Sequence, residues 1–445
     1  MRICHLAAGA GSMQCGACKR DSAMARSLIA RGHDVQIVPL YTPLHIEGDD
    51  PPPMTRVRLG ALNAYAQQVS GIFAHLPRPL ARLLDNEALL RAVSRFAVRT
   101  RPAQVGPMTV SVLRGIDGRQ RTEFEHLLRF IEEEARPDVV GIANSLLSAV
   151  APVVKQRLGL RIFCEVKGED GFIEGTPEPY RSEALELMRH NARFIDRFTA
   201  PNRACAELMA DLLQVEPERF EVVRSIVDRV LPLPGSERIR DPFTIGYLSV
   251  ITPRKGLHLL VEAIGSIVRE GCDARLLVAG QVLDRGYWRE IRREVRRKGL
   301  RDRFDYLGEI DFETKLKFLR SLSAFCQPSI LPEALGTASL EAMAAGVPIV
   351  APGEGAFPEM LGLTEGGLLF EPRKVSSLVA AIAWLMNDPE GADRLGISGI
   401  NGTRRYFSGE QAARQMESML DSMTGKVSLK GAEAYGEETV QVGKE

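Results

Sequence analysis

Two glutamates separated by seven residues, Glu333 and Glu341, stand in "PSILPEALGTASLEAMAAGVPIVAP" (328–352). The first sits in a loop after an apolar run and can accept hydrogen bonds from sugar hydroxyls. The second lies further along the helix that "ALGTAS" begins and can accept both hydroxyls of a vicinal ribose diol. An E-x7-E by itself also describes two solvated helix residues. Here, however, "AAGVPIVAP" buries the end of that helix against a strand through Gly346, and "GAFPEM" opens another helix. Upstream, "TPRKGLHLLVEA" (252–263) sets Arg254 and Lys255 just before a helix whose N-terminal amides add positive potential. Two cations and a helix N-terminus facing a glycine loop make a clamp for a diphosphate; taken alone they would be two surface cations.

The glycine loop is "HLAAGAGSMQCGACKRD" (5–21), where Gly9, Gly11 and Gly16 let the backbone approach an anion and Lys19 or Arg20 adds charge. It is not a dinucleotide fingerprint. Gln14 takes the place of the third glycine, and the second strand ends in Pro39 and Tyr41 rather than in an acid for the ribose. Cys15 and Cys18 have redox spacing at a helix start, where thiol pKa values fall. No second C-x-x-C completes a zinc site, so loop packing is the expectation for the pair.

These residues need a frame. Apolar runs over 2–8, 34–40, 137–143, 160–166, 196–201 and 220–225, then over 243–250, 274–280, 304–308, 324–329 and 347–352, read as strands. Several lack alternation, as parallel strands covered on both faces do. Between them, helical patterns at 17–31, 145–158, 256–269 and 375–386 imply βαβ units and a doubly wound α/β fold. The series restarts after the proline-rich "LPLPGSERIRDP" (231–242), which predicts two Rossmann-like domains, 1–235 and 242–405. A final amphipathic helix spans 406–424, and the polar tail 425–445 is expected to be disordered. A helical insert around 45–120 carries Arg78, Arg82, Arg91, Arg95 and Arg99 against Asp85 and Glu87. It reads as a solvated face or as a basic patch touching an acceptor or a membrane surface.

At 445 residues the chain is too long for one core, and 57 basic against 57 acidic residues leave no field that would draw it to nucleic acid. An odd number of cysteines, seven, gives no disulfide framework. With no signal-like or spanning apolar run, the expected setting is cytoplasmic.

With these motifs the chain resembles, over nearly its whole length, a retaining GT-B glycosyltransferase of the family 4 type (glycosyl transferases group 1). The matching pieces are the glycine loop before "RSLIARGHDV", then "PRKG", "YLGEI" and "PEALGTASLEAMAAGVPIVAPGEGAFPEM", in that order. The resemblance implies two domains facing across a cleft and transfer of a sugar from a nucleotide-sugar to a glycan, lipid or small-molecule acceptor, with no metal or cofactor required. It implies that Arg254 and Lys255 hold the donor diphosphate and Glu333 the transferred sugar. Glu341 would bind ribose, Gly336 and Thr337 would contact phosphate or sugar, and Gly308, Glu309 and Ile310 would frame the base. Gly9, Gly11 and Gly16 would close on the pyrophosphate from the other domain, and the last helix would cross back to that domain.

The chain departs from the family pattern twice. Ser249 and Val250 stand where an Arg is common, and Gly141, Ala143, Asn144 and Lys167 occupy positions where His is frequent. Asn144, Lys167, Glu169 and Asp170 are the candidate acceptor-side residues at strand ends. A nucleotide-sugar-binding protein with little catalysis, and a sugar-nucleotide epimerase on the same frame, are the alternatives.

Overall fold

A computed structural model describes residues 1–8, 16–41, 102–227 and 242–425. The strands expected from the sequence form two six-stranded parallel sheets. The first contains β1 (Arg2–Ala7), β2 (Asp34–Pro39), β3 (Val139–Ile142), β4 (Arg161–Glu165), β5 (Arg197–Ala200) and β6 (Phe220–Val222), in the order β2-β1-β3-β4-β5-β6. The second contains β7 (Phe243–Leu248), β8 (Ala274–Ala279), β9 (Phe304–Tyr306), β10 (Ala324–Cys326), β11 (Ile349–Pro352) and β12 (Gly367–Phe370), in the order β12-β11-β10-β7-β8-β9. β12 is a strand that the sequence reading lacks: four residues, "GLLF", paired to β11 from Ile349↔Gly367 to Pro352↔Phe370. The short edge strand gives too little pattern to read.

Continuous apolar strands need cover on both faces, and each sheet has it. One face of the first sheet packs Leu6, Val140, Ile142 and Cys164 against Leu127, Ile131 and Met188. The other packs Ile3, Ile37 and Val139 against Met24 and Leu28 of the first helix (Gly16–Ala30). Met416, Met419 and Leu420 complete that second layer from the last helix, Gly409–Thr424. The carboxylate of Glu417 adds polar ties, accepting from Arg31 Nε at 2.7 Å and lying 3.0 Å from His33 Nε2. Ser408 caps this helix by accepting from the Gln411 amide at 3.2 Å. So the C-terminal end of the chain furnishes part of the N-terminal core.

The helix expected over 145–158 is instead broken into a 3-10 turn (Ser145–Leu147), one α turn (Val150–Val153) and a wide turn (Val154–Leu158). Pro152 lacks the amide that would continue the ladder back to Ser148. Gly159, with φ +63°, then ends the segment in a left-handed turn. Gly9, Gly11, Cys15, the arginine-bearing part of the insert up to residue 101, the proline-rich linker and the tail lie outside the described residues, while the last part of the insert forms the helix Pro102–Leu113 and the turn Gly115–Asp117. Among the described residues, no helix is long and apolar enough to cross a membrane.

Candidate active site

In a doubly wound sheet, ligands bind beyond the carboxyl ends of the strands where the strand order reverses. In the second sheet that point lies between β7 and β10. The segment after β7 carries Arg254 and Lys255, and the segment after β10 carries Ser329 and Glu333. They converge there. Lys255 Nζ donates to Glu333 Oε1 at 2.5 Å, and Ser329 Oγ donates to the same oxygen at 2.5 Å. The ion pair remains open to solvent, with the lysine side chain 27% exposed and the glutamate 13%.

Backbone geometry fixes both residues. Pro253–Lys255 form a 3-10 turn ended by Gly256 at φ +70°, which also begins the helix Leu257–Arg269 without a side-chain cap. A Cβ on Gly256 would come 1.8 Å from the Pro328 carbonyl oxygen, so only glycine lets this turn lie against the Ser329 segment. His258 braces the turn. The Tyr287 hydroxyl accepts from the His258 amide at 3.0 Å and lies 2.8 Å from its Nδ1. Burial holds the imidazole below its usual pKa and pushes the phenol up to about 12. Gly336 (φ +57°) opens Thr337–Ala344, also without a side-chain cap, so the first amides of that helix are available to an anion.

Glu341 lies within Thr337–Ala344 and accepts from Lys315 Nζ at 2.6 Å. Lys315 is itself buried and lies 5.2 Å from the centre of the Phe312 ring. Gly308 (φ +76°) follows β9 and its carbonyl accepts from the Gly280 amide at 2.7 Å; Glu309 is exposed and Ile310 buried. Ser329, Lys315, His258 and Tyr287 were not singled out in the sequence. Ser329 has an i, i+4 relation to Glu333 as its only signal, and Lys315 is 26 positions from Glu341 with none.

The acceptor-side candidates have different fates. Asn144 caps the turn Ser145–Leu147 by accepting from the Leu146 amide at 3.1 Å. Glu169 is buried and accepts from the Ser145 and Lys167 amides, both at 2.9 Å. Burial raises its pKa, only partly offset by those amides and the Lys167 charge. Lys167 is buried too. It donates to Asp21 of the first helix and lies 3.5 Å from Glu165 Oε2. Burial alone would lower its pKa, but Asp21 and Glu165 outweigh that and raise it. Lys167 and Glu169 therefore serve as internal braces and Asn144 as a turn cap, whereas Asp170 starts the short helix Asp170–Glu174.

Arg20 needs a correction of the same kind. It is not a free charge on the glycine lip but is buried, donating to Glu165 and to the Val223 carbonyl, the latter at 2.7 Å. Burial would raise the pKa of Glu165, and Lys167, Arg20 and His5 together bring it down to about 2. His5, Asp21 and Glu165 have the ligand spacing of a metal site. Arg20 and Lys167 already supply two cations to those carboxylates, so an added divalent ion would meet uncompensated positive charge. Cys18, in the first turn of the first helix and not in a loop, is buried in the apolar cluster that the first and last helices share.

Between the domains, Arg254 Nη1 donates to the Gly171 carbonyl at 3.0 Å and Asn202 Nδ2 donates to the Ala334 carbonyl at 2.6 Å. Glu359 accepts from the Arg203 amide at 2.7 Å, and its other oxygen lies 3.4 Å from Arg224 Nη2. The chain neighbours of Lys255 and Glu333, Arg254 and Ala334, thus contact the first domain.

Comparison with known proteins gives this arrangement a family. A family model for glycosyl transferases group 1 matches residues 234–401, and one for a glycosyl transferase 4-like domain matches residues 20–225. The chain thus joins a glycosyl transferase 4-like domain to a glycosyl transferases group 1 domain. Among its relatives, an MMP α-(1→4)-mannosyltransferase of Mycolicibacterium hassiacum is 28% identical over 246 residues, 55% of this chain and 58% of that protein. A phosphatidyl-myo-inositol mannosyltransferase of Mycobacterium leprae is 32% identical over 154 residues, 35% of this chain and 40% of that protein. The chain therefore spans roughly half the length of the curated relatives it matches. The structure of HepE from Anabaena in complex with UDP has the same GT-B fold. Its TM-score is 0.63 at 16% identity, with 95% of this chain and 100% of that one covered.

Proposed function

We propose that the protein transfers a hexosyl group from a nucleotide-sugar to a glycan, lipid or small-molecule acceptor with retention of configuration. The observation that carries this reading is the convergence of Lys255 Nζ and Ser329 Oγ on one oxygen of Glu333 at the strand switch point. In the reaction, the acceptor hydroxyl oxygen bonds to the anomeric carbon on the face from which the diphosphate departs. The bond from that carbon to the phosphate oxygen breaks, and the leaving phosphate takes the hydroxyl proton. The products are a glycoside and a nucleoside diphosphate. Charge developing on the leaving group is met by Lys255, Arg254 and the uncapped helix starts at Leu257 and Thr337. Glu333 then exchanges its contact with Lys255 for sugar hydroxyls, and Glu341, held by Lys315, receives the ribose diol. The relatives named as mannosyltransferases make mannosyl donors the first to try.

A panel of nucleotide-sugars in a thermal-shift assay tests this. One donor should raise the melting temperature of the wild-type protein, because a ligand bound only to the folded state stabilises it. Lys255→Ala should abolish the shift, and its turnover should fall about 10²–10³-fold. No stabilisation by any donor would overturn the reading.

A further inference from the structure

The loop from Lys167 to Gly171 is held from both sides. Behind it, Lys167 bonds to Asp21, and Glu169 accepts the Ser145 and Lys167 amides, so the loop is fixed to the first helix and to the end of β3. In front of it, two glycines face the second domain. A Cβ on Gly168 (φ +84°) would come 2.7 Å from the Ala334 Cβ. A Cβ on Gly171 would come 2.2 Å from Arg254 Nη2. Through that opening Arg254 reaches the Gly171 carbonyl, while Asn202 holds the Ala334 carbonyl. The residues seated on the first domain are thus the immediate neighbours of Lys255 and Glu333.

We propose that Gly168 and Gly171 are positioning residues: together they form a seat for Ala334 and Arg254 that aligns Lys255 with Glu333 when the two domains meet, with Arg254 as the latch. A guanidinium has five N–H donors, so the latch leaves others for a phosphate oxygen. What the seat aligns rests on the reading of the site as a nucleotide-sugar site; the seat itself rests on geometry alone.

Gly171→Ala separates the two. Gly171 lies in the helix Asp170–Glu174, where alanine is favourable, and the obstructed atom is the far end of a flexible side chain. The substitution should therefore displace the guanidinium and leave the fold intact. Hydrogen exchange on the full ligand-free chain should accelerate about tenfold at both 168–174 and 252–256, with β3 and β8 unchanged. Arg254→Gln should give the same result, and the double variant should add nothing further. A rise confined to 168–174, or none at 252–256 in either variant, overturns the proposal. In a second arm, Gly171→Ala should raise the donor KM several-fold more than it lowers kcat, an effect that a merely structural change would not produce. If no nucleotide-sugar binds the wild-type protein, the functional reading fails, and the exchange result still decides the seat.

Discussion

Each domain places a lysine against a carboxylate beyond a strand end, and the two pairs have little else in common. Lys255–Glu333 joins two segments of the second domain and stays partly open, with 27% and 13% of the side chains exposed. Lys167–Asp21 is sealed, at 7% and 3%, and belongs to a cluster with Arg20 and Glu165. An open pair can give up its partner to a ligand at modest cost, because water is available to both charges. A sealed pair cannot, since removal of one member leaves a desolvated charge with nothing to offset it. The same residue types therefore make an open pair in one domain and a brace in the other, and burial makes the difference.

The widest separation between the two should appear in stability. Glu165→Gln leaves Arg20 and Lys167 undercompensated in the interior and should cost about 3–5 kcal/mol, read from urea unfolding. Lys255→Ala should stay within about 1 kcal/mol of wild type while losing donor binding. Equal destabilisation by the two would erase the distinction.

Acid titration sharpens it further. Glu165 falls to about 2 in the folded state from an ordinary value of 4.5. The unfolded chain therefore binds more protons between those values, and stability present above pH 4.5 should be lost as the pH drops towards 2. Glu169 acts with the opposite sign: its raised pKa means that the folded state holds its proton longer, so its contribution declines as the pH rises through that value. Glu169→Gln should remove this second component in a pH series of melts and leave the acid limb in place.

The smallest effect is expected from Cys18→Ala. The thiol is buried in the apolar layer between the first and last helices, so turnover should stay within about twofold of wild type once folding is matched. A large loss of turnover in a folded variant would restore a thiol role to that helix.

The frame was legible from the sequence because parallel strands buried on both faces leave uninterrupted apolar runs. Glu333, Glu341, Arg254 and Lys255 stood out as candidates for a related reason, since each lies near a strand end or helix start, and the structure brings Lys255 and Glu333 into contact. The last helix was legible from its amphipathic run, and the structure starts it three residues later than expected, at Gly409 after the Ser408 cap. The 145–158 segment was misread because helical periodicity outweighed the single residue, Pro152, that interrupts it.

Local pattern thus determined the elements and the charged groups at their ends. Tertiary structure decided which of those groups stay available. Lys167, Glu169 and Arg20 look as free in the chain as Lys255 and Glu333 do. Only tertiary packing shows them enclosed, with Arg20 and Lys167 paired where the first helix meets β4 and Glu169 held by the Ser145 and Lys167 amides. Nor could sequence join Arg254 to Gly171, 83 positions away, since that contact exists only where two separately folded sheets meet. Charge is a property of residue type, but its cost and its use depend on solvent, and access to solvent is set by the fold.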